Sequence, residues 1–192
     1  MARRFDRILL GVISGLMLSG CLTSAPSPSS WIVSASRKSS SELMIDKVAR
    51  LGSITVAAPY DKSALAVKRA DGSVAFDSYN VFASAPSALL RTPLAVLLEN
   101  DGRFGRILSS VSTARSNSTL EAVVTDLSLD CTASDRRVAK VAISIAVIEN
   151  REIKMFLDGS GSADAASGDY SEAFSAAFSQ AVSDALRSMP EK

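Results

Sequence analysis

Residues 123–131 read Val123-Val-Thr-Asp126-Leu-Ser-Leu-Asp130-Cys131, and residues 141–147 read Val141-Ala-Ile-Ser-Ile-Ala-Val147. In the first run Val123, Thr125, Leu127, Leu129 and Cys131 alternate with Val124, Asp126, Ser128 and Asp130. In the second, Val141, Ile143, Ile145 and Val147 alternate with Ala142, Ser144 and Ala146. A period of two puts alternate side chains on opposite faces of a strand, so each run predicts a β-strand with one face in a core. Glu149-Asn150-Arg151 makes a tight connection to a third extended run, Ile153 to Ala163. Three long strands with short connections predict antiparallel neighbours.

After the strands the period changes. Asp169-Tyr-Ser-Glu172 reads as a capping box, the arrangement that satisfies free amides at a helix start. Tyr170, Phe174, Phe178, Ala181, Ala185 and Leu186 then form the apolar stripe of a C-terminal helix that Pro190 closes. Towards the N-terminus the signals are shorter. Trp31-Ile-Val-Ser34, Gly52 to Ala57, and Phe104 to Val111 are strand candidates. Arg37 to Ser41 reads as a polar linker, and Leu43 to Leu51 as one or two helical turns. Asp71-Gly72 between Leu65–Arg69 and Val74–Tyr79 is a hairpin signal. Ser87 to Asn100 reads as a bent helix or two short ones, with Thr92 as cap, Pro93 at the first helical position and Asp101-Gly102 as the stop. Leu90, Leu94, Leu97 and Leu98 share its apolar face. The sum is an α+β domain: a mostly antiparallel sheet with two helical segments packed on one face. Ala142, Ser144 and Ala146 fall on the opposite, thinner face.

The first residues belong to something else. Arg3, Arg4 and Arg7 precede an apolar run of about 11 residues, Ile8 to Leu18, which is too short for a bilayer span and suited to a signal peptide. It ends in Leu18-Ser-Gly-Cys21, which resembles a bacterial lipobox. The resemblance implies cleavage after residue 20, diacylglycerol on the Cys21 thiol and acylation of its new α-amine. Residues 1–20 are then a lipoprotein signal peptide, 21–30 a lipidated, Ser/Pro-rich flexible tether, and 31–192 a single periplasmic domain. Leu22, rather than Asp, follows the cysteine, which by the lipoprotein sorting rule implies the periplasmic face of the outer membrane.

Composition removes several function classes. The leader takes three arginines and Asp6 with it, leaving 18 of the 21 basic and 19 of the 20 acidic side chains. A domain so near neutrality lacks the basic footprint of a nucleic-acid binder. The chain has no histidine, which excludes Ser-His-Asp and Cys-His catalysis and His-ligated zinc. None of the seven lysines follows a serine at the Ser-x-x-Lys spacing, and there is no P-loop. Gly159-Ser-Gly161 lacks the third glycine of a dinucleotide loop. With Cys21 acylated, Cys131 has no partner for a disulfide and reads as a small buried residue. The expectation is a non-enzyme without cofactor or metal. Tyr60, Tyr79 and Phe82 are candidates for a partner or acyl-chain contact, against the alternative that they pack under the helices. Asp126 and Asp130 share a strand face, which alternation reads as solvated rather than as a cation site.

From Gly52 to Ser110 the order of features is an Ile54-Thr-Val56 strand, Pro59-Tyr60, a strand to Arg69, a hairpin, an aromatic with a downstream proline, a helix ending in Leu97-Leu98, and Gly102-Arg-Phe104. Together with the lipobox and Trp31-Ile-Val-Ser34, this order resembles the auxiliary lipoproteins of ABC-type transport systems, among them paraquat-inducible protein C. Phe82 lies where that family usually has tryptophan. The resemblance implies a non-enzymatic accessory of a mammalian-cell-entry (MCE) lipid-transport system. Its partners would be an MCE-domain protein or ABC transporter components, and oligomeric rings belong to the same implication. The alternative is a structural or assembly lipoprotein of another envelope or secretion complex.

Overall fold

One strand, β6 (Ser118–Cys131), organises the sheet. Its length lets it serve two neighbours along one edge. β2 (Val48–Val56) runs parallel to its first half, with Leu51 opposite Leu120 and Val56 opposite Val124. β3 (Ala64–Arg69) runs parallel to its second half, with Ala66 opposite Ser128. β2 and β3 are consecutive and point the same way, so they form one line of strand interrupted by residues 57–63. Outside β3 lies β4 (Val74–Phe82), antiparallel to it, and outside β4 lies β1 (Ser29–Trp31), parallel to β4. The three-residue β5 (Arg106–Leu108) flanks the start of β2. Along its other edge β6 pairs antiparallel with β7 (Val138–Glu149), and β7 with β8 (Glu152–Asp164). The structure is a computed structural model that describes residues 27–38, 47–133 and 135–189. The leader, Cys21 and Pro190 lie outside them.

The architecture is the α+β arrangement expected, one eight-stranded sheet with helices on one face. β6 and β7, and β7 and β8, pair antiparallel, whereas β6 with β2, β6 with β3, β2 with β5 and β1 with β4 are parallel and make the sheet mixed. The β7–β8 turn is tight because Asn150 and Arg151 both take positive φ, 54° and 66°, which matches the twist of the flanking strands.

Several local expectations change; the strand candidate Phe104 to Val111, for one, forms only over Arg106–Leu108. Val123 does not share the Leu127 face: it is exposed, whereas Ser118, Leu120, Ala122 and Val124 point inward. Thr125 is an extra residue with no partner on β7, a bulge that shifts the inward set to Leu127 and Leu129. And Leu43–Leu51 is not helical over the part described, since Val48 to Leu51 are already β2.

The helices cover the inward face. α1 (Pro86–Leu89) and α2 (Arg91–Asp101) are the two short helices anticipated. Leu90, rather than Thr92, stands between them, and Pro93 falls within the first turn of α2, where a missing N–H is harmless. Gly102, at φ 82°, ends α2 in the left-handed conformation. α3 (Tyr170–Arg187) starts on Asp169, whose side chain accepts a hydrogen bond from the Glu172 amide at 3.1 Å. Its apolar stripe is buried throughout. The Arg103 guanidinium donates to the Leu186 carbonyl near the end of α3.

α3 lies directly on β8. A Cβ on Gly159 would sit 2.1 Å from the Ala181 carbonyl oxygen, and one on Gly161 would sit 2.0 Å from that of Ala177. Small residues on both elements, Gly159 and Gly161 against Ala177, Ala181 and Ala185, therefore set the helix–sheet distance. The same approach brings polar side chains of α3 to the free edge of β8. Asp184 accepts from the Ser160 amide at 3.1 Å, and Gln180 from the Ser162 amide at 2.9 Å. An edge whose amides are already engaged cannot template another strand there.

Candidate functional site

The aromatic candidates separate. Phe82 ends β4 on the inward face and is 3% exposed. Its ring lies 4.2 Å from Trp31, and Trp31 in turn stacks on Phe174 at 5.1 Å. Tyr170 completes this cluster at 6.3 Å from Trp31. Phe82 is thus core, which removes it from any exposed contact. Burial favours it because β1 carries the largest side chain of the N-terminal segment and only an apolar socket can hold it. Tyr60 is half-buried at the rim, with the Lys68 ammonium 5.4 Å from its ring. Tyr79 alone is open, at 55% exposure. The three do not form one surface.

Trp31 also fixes how the chain enters the domain. After β1, residues 32–38 lie extended across the helices. Ser171 donates to the Ile32 carbonyl at 2.7 Å, and the Ser34 amide donates to Ser175 at 3.0 Å. The Lys38 amide donates to the Asn100 side-chain oxygen at 2.9 Å, and Asn100 Nδ2 donates to the Ser36 carbonyl at 2.8 Å. Glu99 receives Arg37 at 2.5 Å and accepts from the Ile107 amide at 3.0 Å, tying this segment and β5 to α2. Between the segment and the two helices runs a groove of about 360 Å³. Leu97, Val182 and Leu186 give it an apolar floor; Ser179, Ser183 and Asn100 give it polar walls.

The opposite face of the sheet carries the charges. Asp126 accepts from Lys68 and from the Ser128 hydroxyl, both at 2.6 Å. Burial lowers the Lys68 pKa, and the hydrogen bond and charge of Asp126 more than offset it, so the ammonium is raised. Asp130 is paired with Lys140 at 2.5 Å. That hydrogen bond, with two more from Thr132, holds its carboxyl well below the usual range. Two aspartates on one face are each engaged with a lysine, which leaves no free carboxylate pair for a cation. Among the described residues no cluster of acidic, cysteine or histidine side chains could hold a metal ion. Burial pushes the Cys131 thiol up, away from a reactive thiolate. No helix among the described residues is long and apolar enough to cross a membrane.

Sequence reasoning paired neither lysine with its aspartate. The Lys68–Asp126 contact joins strands whose parallel pairing no local pattern announces, and Lys140 stands opposite Ser128 and reaches Asp130 on the diagonal.

No family model matches the chain, and no curated protein matches it. Solved structures do. The crystal structure of protein XCC0632 from Xanthomonas campestris, described as DUF330, is similar with a TM-score of 0.55 at 15% identity, over 83% of this chain and 81% of that one. The crystal structure of an uncharacterized protein is similar with a TM-score of 0.60 at 11% identity, over 84% and 95%. This chain shares their fold.

Proposed function

We propose that this protein is an outer-membrane-anchored periplasmic lipoprotein, a non-enzymatic accessory of an ABC/MCE-type intermembrane lipid-transport system. The observation that carries the reading is Leu18-Ser-Gly-Cys21 behind a basic and apolar leader, joined to a domain whose order of features resembles the transport auxiliary lipoproteins. The fold shared with a DUF330 protein is consistent with it. A tethered docking role needs an anchor, a short reach and a rigid body. From Cys21 to Ser29 there are eight residue steps, a reach of roughly 28 Å at full extension. The domain would therefore work close to its lipid surface and present itself to a partner that arrives from the periplasm.

The test is affinity purification of the native lipoprotein from detergent-solubilised envelopes, with mass spectrometry of the bound proteins and lipids. An MCE-domain protein or an ABC permease among the partners is the expected result. A preparation that carries only secretion or assembly components overturns the transport reading in favour of an assembly lipoprotein.

A further inference from the structure

We propose that the exposed side of β4, made by Val74, Phe76 and Tyr79, is the part of the domain that rests on the anchoring lipid surface. This rests on the lipid-anchor reading above and adds an orientation to it. The direction of the tether comes first. β1 is parallel to β4, with Ser29 opposite Asn80 and Trp31 opposite Phe82. The chain before Ser29 therefore arrives from the side of Tyr79 and Val74, and not from the far end of β4. A tether of roughly 28 Å at most therefore leaves the domain beside this strand.

That strand offers what an interface needs. Val74 and Phe76 are 37% and 38% exposed on one face of β4, and Tyr79, 55% exposed, stands in a bulge of Ser78, Tyr79 and Asn80 that has no partner on β3 and breaks the strand's alternation. Tyr suits the headgroup level, where its ring is buried and its hydroxyl stays wet. Lys62 places its ammonium over the Phe76 ring, 4.5 Å from the centroid, a cation–π contact on this surface. The formal charges nearby nearly balance: Asp61, Asp71 and the half-buried Asp77 against Lys62 and Arg69, an excess of one acid, while Lys68 is neutralised by Asp126. No basic patch is present to attract anionic headgroups, so contact with lipid is apolar in origin and is not weakened by salt.

The other exposed apolar group is less suited to lipid. Val123, Ile153 and Phe156 lie towards the opposite edge; from β1 to β8 the path crosses β4, β3, β6 and β7. Five steps of about 4.8 Å place β8 roughly 24 Å across the sheet from the tether. The rim there, Glu121, Glu149, Glu152 and Asp158 against Arg151 and Lys154, has a surplus of acid that anionic headgroups repel.

The full acylated protein, in a Cys131→Ser background and reconstituted into phosphatidylethanolamine–phosphatidylglycerol vesicles, decides it. Fluorophores are placed on Tyr79→Cys, on Val74→Cys and on Phe156→Cys, and a lipid with a headgroup spin label serves as quencher. Quenching at positions 79 and 74 roughly threefold above that at 156, unchanged by high salt, is expected for a β4 seated at the headgroup boundary. Two β4 labels are used so that one misfolded variant does not decide the result. Equal quenching at all three positions, or the strongest at 156, overturns the proposal. Intact mass and vesicle flotation separate the two claims. An unacylated protein that does not float overturns anchor and orientation together, whereas an acylated, floating protein with unquenched β4 labels overturns the orientation alone.

Discussion

Gly161 has backbone where its side chain would be. Gly161→Ala places a methyl 2.0 Å from the Ala177 carbonyl oxygen and 2.6 Å from the Ala181 amide, so α3 must lift from β8. Overpacking of this kind costs roughly 3 kcal/mol, which in a domain of this size is a fall in Tm of about 6–12 °C by thermal melting. Trp31→Ala removes the ring between Phe82 and Phe174, and truncation of a large core aromatic costs about 3–5 kcal/mol. Denaturant unfolding checks it as a lowered midpoint at unchanged slope. Asp130 gives a pH signature. Its folded pKa is depressed by Lys140 and Thr132, so its contribution is present above the unfolded carboxylate pKa of about 3.9 and is lost as pH falls towards the folded value. Lys140 is half-exposed, and screening keeps the contribution small. Asp130→Asn should therefore lower Tm slightly from pH 7 to about 5, with the difference from wild type vanishing well below pH 4.

The elements that were legible are those whose pattern is local. β7, β8 and α3 announce themselves because period two or 3.6 persists for a dozen residues, and their caps and turns carry suitable residues. β6 was legible as a strand but not in phase. Its bulge at Thr125 follows two valines, Val123 and Val124, so hydropathy alone does not say which one turns inward. Val48 to Leu51 failed for a similar reason, since a short apolar run carries no period long enough to choose strand over helix. Gly159-Ser-Gly161 was visible as a motif without a cofactor role; the helix residues that need its bare backbone, Ala177, Ala181 and Ala185, come more than a dozen residues later in the chain. The β7–β8 turn supports a prediction at this scale. Arg151 holds φ 66°, a conformation that costs an L-residue about 1–2 kcal/mol, and Arg151→Gly should raise stability by about 1 kcal/mol after the entropy of glycine is counted. A Tm higher by about 2–4 °C is the expected reading.

Across the whole molecule, the sheet leaves one face to the helices and the other to solvent, and its margins are guarded differently. β8 is covered by Asp184 and Gln180, whereas β1 and β5 are only three residues long. Replacing Asp184 and Gln180 together by Ala uncovers the Ser160 and Ser162 amides, and light scattering should then detect association absent from the parent protein. The candidate surfaces were less legible than the fold. Which of Tyr60, Tyr79 and Phe82 is exposed depends on where β1 docks, and Ser29 meets Asn80 across 51 positions of chain. That docking also determines how the molecule bears load. A pull on the N-terminal tether acts along the axis of β1, parallel to β4, so the strand is sheared rather than peeled. Its pairing with Asn80, Val81 and Phe82 and the socket around Trp31 must yield in a single event. A strand of only three residues is thereby the mechanical clamp between the domain and whatever holds its end.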